Sequence, residues 1–299
     1  MDGERTANIN INNKYNKTAG LEREADCLPQ RYYQAGSALC QSDDKMPYPR
    51  ICAHKGFSAV CPENSMPAFG AAVALGAEEI EFDLWSTKDG QLVSIHDSTL
   101  QRVSDGNGNI WDYTYEELLD LDFGINCGAH FKGLKIVTFE EILKKFACQV
   151  IMNIHVKIWD DGFENPRYEN IASLIRKYGC EKYVYVMTRN DEYSKAFHET
   201  APDIKRCVGW NGVKDKPLET VERAIKLKCE KVQLRKPYFN QETVDLAHKN
   251  NIICNMFWAD DPKEAVTYLK MGIDTILTNE FLQVSNAVKE FKANSSYAV

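Results

Sequence analysis

The strongest constraint on this chain is a rhythm. From Arg50 onward, short β-branched and apolar runs alternate with amphipathic helical stretches. The runs are Ile51–His54, Glu79–Trp85, Val150–Lys157, Tyr183–Thr188, Arg206–Trp210, Lys231–Arg235, Ile252–Trp258 and Thr275–Asn279. Helical periodicity fills the gaps at Ser65–Gly76, Phe139–Phe146, Tyr168–Lys177, Asp191–Thr200, Leu218–Lys228, Gln241–Asn250, Pro262–Met271 and Phe281–Lys292. End signals support several helices. Asn64 is placed to cap the first, Asp261 stands before a proline at a first helical position, and Gly76, Gly179, Asn250 and Gly272 close others. Eight such units in about 250 residues predict an α/β fold of the (β/α)8 TIM-barrel type. A doubly wound open sheet fits fewer units, and no glycine-rich dinucleotide loop follows the first run.

One run stands outside the alternation. Leu92–His96 follows Lys88-Asp89-Gly90, a tight-turn signal, and reads as the return arm of a hairpin after the second strand. About forty residues then separate His96 from the helix at Phe139, too many for a simple connection. The stretch 98–137 is therefore expected to be a hairpin and lid insertion. Its Trp111, Tyr113, Tyr115 and Phe131 either face substrate or anchor the insertion to the barrel. Residues 1–49, rich in Asn, Gln and Asp, read as a mostly irregular extension ahead of a barrel domain at 50–299.

Composition narrows the function. A formal net charge of −7 and the absence of a long Lys/Arg run give no reason to expect a nucleic-acid partner. No apolar stretch approaches the ~18 residues that a membrane helix needs, and the polar N-terminus does not read as a secretory signal. The ten cysteines show no Cys-x-x-Cys spacing, and Cys52, Cys148, Cys207 and Cys254 sit in or beside apolar runs. They read as free thiols in a reducing compartment, which points to a cytoplasmic protein.

The chemistry centres on Glu81-Phe82-Asp83. In a strand, residues two apart share a face, so these carboxylates lie side by side. They repel unless a proton or cation sits between them, and hard oxygen ligands suit Mg²⁺ or Ca²⁺. Barrel sites lie at the C-terminal strand ends. His54 ends the first run, Glu81 and Asp83 the second, and His155 and Lys157 the third, while the hairpin returns His96 to the same rim. The other histidines, His130, His198 and His248, read as surface residues. Gln233 with Arg235, and Phe257 with Trp258, end two later runs; Trp258 is a candidate for either the mouth or the barrel core. Metal-assisted acid/base chemistry is the expectation.

These residues also carry a family likeness. His54-Lys55-Gly56, Pro62-Glu63-Asn64-Ser65, Glu81-x-Asp83, Thr87-Lys88-Asp89-Gly90, His96-Asp97, Leu100-x-Arg102, Gly106-x-Gly108 and Gly272-Ile273-Asp274-Thr275-Ile276-Leu277-Thr278-Asn279 occur in order over about residues 50–290. Together they resemble the glycerophosphodiester phosphodiesterase family. The resemblance implies a TIM barrel with an insertion after its second strand. It also implies a metal-dependent hydrolase that releases glycerol 3-phosphate and an alcohol. His54 and His96 would be the acid/base pair, with Glu81 and Asp83 as metal ligands. Lys157 would neutralise the phosphate, Lys55 would stand near it, and Glu63 would support His54. A substrate hydroxyl would attack first, and water would open the cyclic phosphate. Trp258 would pack on the alcohol part; Arg235, read from its strand end and not from the resemblance, is a further substrate-facing candidate.

Two departures from the family pattern matter. His155 stands where the family has a glutamate ligand, and Lys55 where it has arginine. A neutral imidazole makes the site less anionic, so beside Mg²⁺ or Ca²⁺ the ion Mn²⁺ or Zn²⁺ comes into question. Lysine replaces a bidentate fork by a point charge. A different small phosphodiester (a sugar phosphodiester or a lysophospholipid) or a non-catalytic binding homologue therefore stays open, as do head group and oligomeric state.

Overall fold

Eight parallel strands close on themselves in the computed structural model, which describes residues 40–157 and 166–294. They are β1 (Arg50–His54), β2 (Glu79–Ser86), β4 (Ile151–Val156), β5 (Val184–Thr188), β6 (Lys205–Gly209), β7 (Lys231–Arg235), β8 (Ile253–Phe257) and β9 (Thr275–Thr278). Closure comes from β1, which pairs with β9 on one side and β2 on the other. The short β3 (Leu92–Ser94) lies antiparallel to β2, as the turn signal predicts. Helices α1 (Met66–Ala74), α3 (Phe139–Phe146), α4 (Pro166–Lys177), α5 (Asp191–Thr200), α6 (Glu219–Leu227), α7 (Gln241–Lys249), α8 (Pro262–Met271) and α9 (Phe281–Asn294) follow the strands, and α2 (Tyr115–Leu118) is a single turn in the insertion. The TIM barrel is thus present. The irregular reading of residues 1–49 falls mostly on 1–39, outside the described residues; 40–49 form turns and bends with no helix or strand.

Strand parity explains the layers. In β2, Ile80, Phe82 and Leu84 point out to the helices, where Phe82 meets Phe69 at 5.6 Å and Phe139 at 6.1 Å. Burying each such side chain contributes about 1.5–3 kcal/mol. The alternate residues Glu79, Glu81 and Asp83 point into the barrel. The floor holds a closed charge network. Arg50 reaches Asp43 (2.6 Å) and Glu79 (2.8 Å), Lys231 reaches Asp43 (2.8 Å), and the Tyr185 hydroxyl donates to Glu79 (2.8 Å). Segment 40–49 thus supplies, through Asp43, the carboxylate that lies between two buried cations.

Caps follow sequence, with one correction. Asp261 accepts from Lys263 N and Glu264 N ahead of Pro262, as expected. Thr138 and Glu141 form a reciprocal capping box on α3. The first helix is capped not by Asn64 but by Ser65, whose hydroxyl accepts from Ala68 N at 3.3 Å. Asn64 has φ +55° and turns its amide into the barrel mouth instead.

The insertion has a core of its own. Val93, Ile95, Leu100, Ile110, Leu118, Phe123 and Ile136 are buried together, with Trp85, Trp111, Tyr113 and Tyr115 packed on them. Three of the four aromatics named from sequence therefore anchor the insertion, and Phe131 lies outside that cluster. Among the described residues no helix is long and apolar enough to cross a membrane, and the nine of the ten cysteines that fall among them are free thiols.

Candidate active site

The strand ends deliver His54 from β1, Glu81 and Asp83 from β2, His155 and Lys157 from β4, and Arg235 from β7 to one cleft of about 430 Å³. His96 enters the same cleft from the loop after β3, and Gln233, Phe257, Trp210 and Arg189 complete much of its wall. Register accounts for the convergence: His54 pairs with Glu81, and Asp83 with His155, so adjacent parallel strands present these side chains at neighbouring heights. A wider trough of about 1110 Å³ leads off past His96, Asp97, Thr99, Lys157 and Tyr193.

His54 is buried, and its Nδ1 lies 2.7 Å from Asn279 Oδ1. The Asn279 amide nitrogen donates to Asp260 Oδ2 (2.9 Å), and the Ser58 hydroxyl donates to Asn279 Oδ1 (3.0 Å). The amide oxygen therefore faces His54 and accepts its Nδ1 proton, which leaves Nε2 as the bare nitrogen facing the cleft. That Nε2 lies 3.8 Å from Glu81 Oε2. Burial, reinforced by the Lys55 charge, lowers the His54 pKa to about 4. The imidazole is neutral at pH 7.

His96 has a different partner. Its Nδ1 lies 2.7 Å from the Asp97 carboxylate, which also accepts from Arg102. Burial raises the Asp97 pKa, but hydrogen bonds from Arg102 and His96 outweigh that and hold it below the usual range. His96 thus has a carboxylate at Nδ1, whereas His54 has an amide there.

Asp83 sits at the centre. Its Oδ1 lies 2.9 Å from Lys157 Nζ and 3.0 Å from His155 Nδ1. Asn64 grips it from two directions: Nδ2 donates to Asp83 Oδ2 (3.0 Å), and Asp83 N donates to Asn64 Oδ1 (3.1 Å). Burial opposes ionisation of Asp83, yet Lys157 and His155 hold its pKa well below the usual range. Glu81 goes the other way, pushed well up by burial and by the Asp83 charge. Burial and Lys157 lower the His155 pKa to about 3, so it too is neutral. Glu81, Asp83 and His155 each offer a ligand atom, all within 4.8 Å of one another. Two carboxylates that cannot both ionise unaided, beside a neutral imidazole, form a donor set that fits a divalent cation.

The remaining sequence candidates fall in two groups. Lys55 and Glu63 form a pair at 2.8 Å, and Arg102 clasps Glu63 at 2.7 and 2.9 Å. Lys55 is thereby turned to Glu63 and does not line the cleft, although its backbone N–H donates to Glu81 Oε2 (3.0 Å). Trp258 also stands behind the wall, with its indole N–H donating to Asp260 (3.0 Å). His130, His198 and His248 are exposed. Sequence reasoning gave no role in the site to Asn64, Asp97, Arg189, Trp210, Asp260 or Asn279. For Arg189 and Asn279 the signal was available, since each directly follows a strand that ends at the mouth.

Fold and site together define a barrel hydrolase in which two imidazoles, one held by an amide and one by a carboxylate, face a carboxylate pair and a lysine. Residues 54–282 match the model of the glycerophosphoryl diester phosphodiesterase family. A glycerophosphodiester phosphodiesterase of Caldanaerobacter subterraneus subsp. tengcongensis is 31% identical, over 80% of this chain and 98% of that protein. A putative glycerophosphodiester phosphodiesterase from Galdieria sulphuraria has a similar structure (TM-score 0.72, 25% identity, 82% of this chain and 99% of that one). An Oleispira antarctica phosphodiesterase solved with sn-glycerol-3-phosphate shares the fold (TM-score 0.75, 22% identity, 81% of this chain and 97% of that one). The chain belongs to the glycerophosphoryl diester phosphodiesterase family, and with it to the phosphoric diester hydrolases.

Proposed function

We propose that this protein is a metal-dependent phosphodiesterase that cleaves glycerophosphodiesters to glycerol 3-phosphate and an alcohol, with His54 as general base and His96 as general acid. The observation that carries this reading is the contrast between the two imidazole partners. Neutral His54, with its proton held at Nδ1 by Asn279, presents an Nε2 lone pair able to take a proton from the attacking hydroxyl. His96, held at Nδ1 by the Asp97 carboxylate, is the group that gives a proton to the leaving alkoxide. A hydroxyl of the glycerol part is the first nucleophile in this account, and water opens the cyclic phosphate afterwards, with the two imidazoles exchanging roles.

Charge is handled from β2 and the neighbouring β4. A divalent cation held by Glu81, Asp83 and His155 would supply electrostatic stabilisation to the phosphodiester anion. Lys157, 2.9 Å from Asp83, adds a fixed positive charge beside it. The bound sn-glycerol-3-phosphate of the Oleispira antarctica enzyme and the name of the Caldanaerobacter relative support the product assignment. With His155 as a nitrogen ligand, Mn²⁺ and Zn²⁺ gain relative to Mg²⁺ and Ca²⁺.

The test is release of glycerol 3-phosphate from glycerophosphoethanolamine and glycerophosphocholine, assayed after chelation and then with each of the four ions. Turnover that disappears on chelation and returns with one ion is the expected result. Full turnover in chelator would remove the metal from the account.

A further inference from the structure

The mouth has a second cationic wall that the proposed reaction does not use. Arg189 follows β5 and Arg235 ends β7, one on each side of β6. The Arg235 guanidinium lies over the Trp210 ring at 4.7 Å, and Trp210 is in turn stacked on Tyr238 (5.0 Å, 2° between planes). Arg189 lies beside Gly209, where an added Cβ would come within 3.4 Å of Arg189 Cγ. Both arginines line the cleft. The acidic neighbours are otherwise engaged: Asp191 pairs with Arg223 at 2.7 Å, and Glu264 with Lys236 at 2.6 Å. Among the described residues no carboxylate pairs with Arg189 or Arg235. In a chain of net charge −7, two guanidinium groups in one cleft with no carboxylate partner among the described residues do not reflect general basicity.

Arg235 stands on the far side of the mouth from the reacting phosphorus. A phosphodiester within reach of His54, His96 and Asp83 sits over β1 and β2, with Lys157 beside it. In the closed order β1-β9-β8-β7-β6-β5-β4-β2, β6 and β7 with Arg235 lie across the barrel from β1 and β2, while Arg189, after β5 and next to β4, borders Lys157 and the trough that leads off past His96. A substrate spanning the cleft meets the two arginines with the end remote from its glycerol.

We propose that Arg189 and Arg235 form a second anion subsite, selecting phosphodiesters whose alcohol part carries a negative charge of its own, either a carboxylate or a phosphate monoester. Arginine forks pair with both groups, and the stacked Trp210 keeps Arg235 in place for them. A quaternary ammonium head group would instead meet like charge and be disfavoured. The inference rests on the phosphodiesterase reading above and specifies its substrate class.

Matched substrate pairs test it. Glycerophosphoserine and glycerophosphoethanolamine differ by one carboxylate; glycerophosphoinositol phosphate and glycerophosphoinositol differ by one phosphate monoester. The metal-loaded enzyme is expected to favour the acidic member of at least one pair about tenfold or more in kcat/KM, as a charge-assisted hydrogen bond allows. The pair that responds identifies which anion is read. Arg189→Gln and Arg235→Gln should each cut that preference severalfold, measured as a ratio within one protein so that loss of active material cancels. Turnover of all four substrates with ratios near one, or a preference untouched by both substitutions, would overturn the subsite while leaving the phosphodiesterase reading intact. No turnover of any of the four would overturn both.

Discussion

Asn279 Oδ1 lies 2.7 Å from His54 Nδ1, while Asn279 Nδ2 is engaged by Asp260 at 2.9 Å. The amide cannot flip without losing both contacts, so His54 is locked in the tautomer that keeps Nε2 bare. Asn279→Asp would place a carboxylate on His54 and raise its proton affinity. A base works only when deprotonated, so activity is lost as pH falls through its pKa. The acid limb of kcat/KM should therefore move to higher pH, by about 1–3 units, in a pH–rate profile of the variant. An unmoved acid limb would detach His54 from the base role.

Asn64 holds Asp83 through two hydrogen bonds and also accepts from Ser94 Oγ (3.0 Å). Removing such outer support usually weakens a metal site by about 10–100-fold. Asn64→Ala should raise the metal concentration needed for half-maximal activity by that factor, with the barrel still folded by circular dichroism. An unchanged metal requirement would mean that Asp83 needs no such support.

Asp43 faces Arg50 and Lys231, all three nearly inaccessible. Deleting one member of a buried charge cluster strands the others at a cost of about 3–5 kcal/mol. Asp43→Ala should lower the urea midpoint accordingly while leaving the mouth chemistry in place. A loss under about 1 kcal/mol would mean that the floor re-pairs without it.

These predictions show where sequence was sufficient. The barrel was legible because each strand and helix carries its own period, and because eight units have few ways to close. His54, Glu81, Asp83, His96, His155 and Lys157 were legible because strand ends converge at one rim. Partner choice was not. Asn64 looked like a helix cap, and only the fold reveals that its amide reaches Asp83 while Ser65 does the capping. Lys55 looked like a phosphate ligand, and the ammonium turns instead to Glu63, eight residues along the chain. The floor network joins Asp43 to Lys231, 188 residues apart, a pairing no local pattern encodes.

Acid sensitivity follows from the buried histidines. His155 has an unfolded value near 6.5 and a folded value of about 3, so between these the unfolded chain binds more protons. Stability therefore falls as pH drops through that window, and the loss saturates below it. From pH 7 to pH 5 this group alone costs about 2 kcal/mol. In chelator, His155→Gln should lose correspondingly less stability over that interval by urea unfolding. An equal loss in both proteins would place the acid sensitivity elsewhere.

The most direct measurement is the rate of glycerol 3-phosphate release by the wild-type protein, His54→Ala and His96→Ala, each saturated with the ion that activates best. The account predicts that both variants keep the fold and bind metal, yet lose about 10²–10⁴-fold in kcat. Near-wild-type turnover in either variant would contradict the two-histidine mechanism.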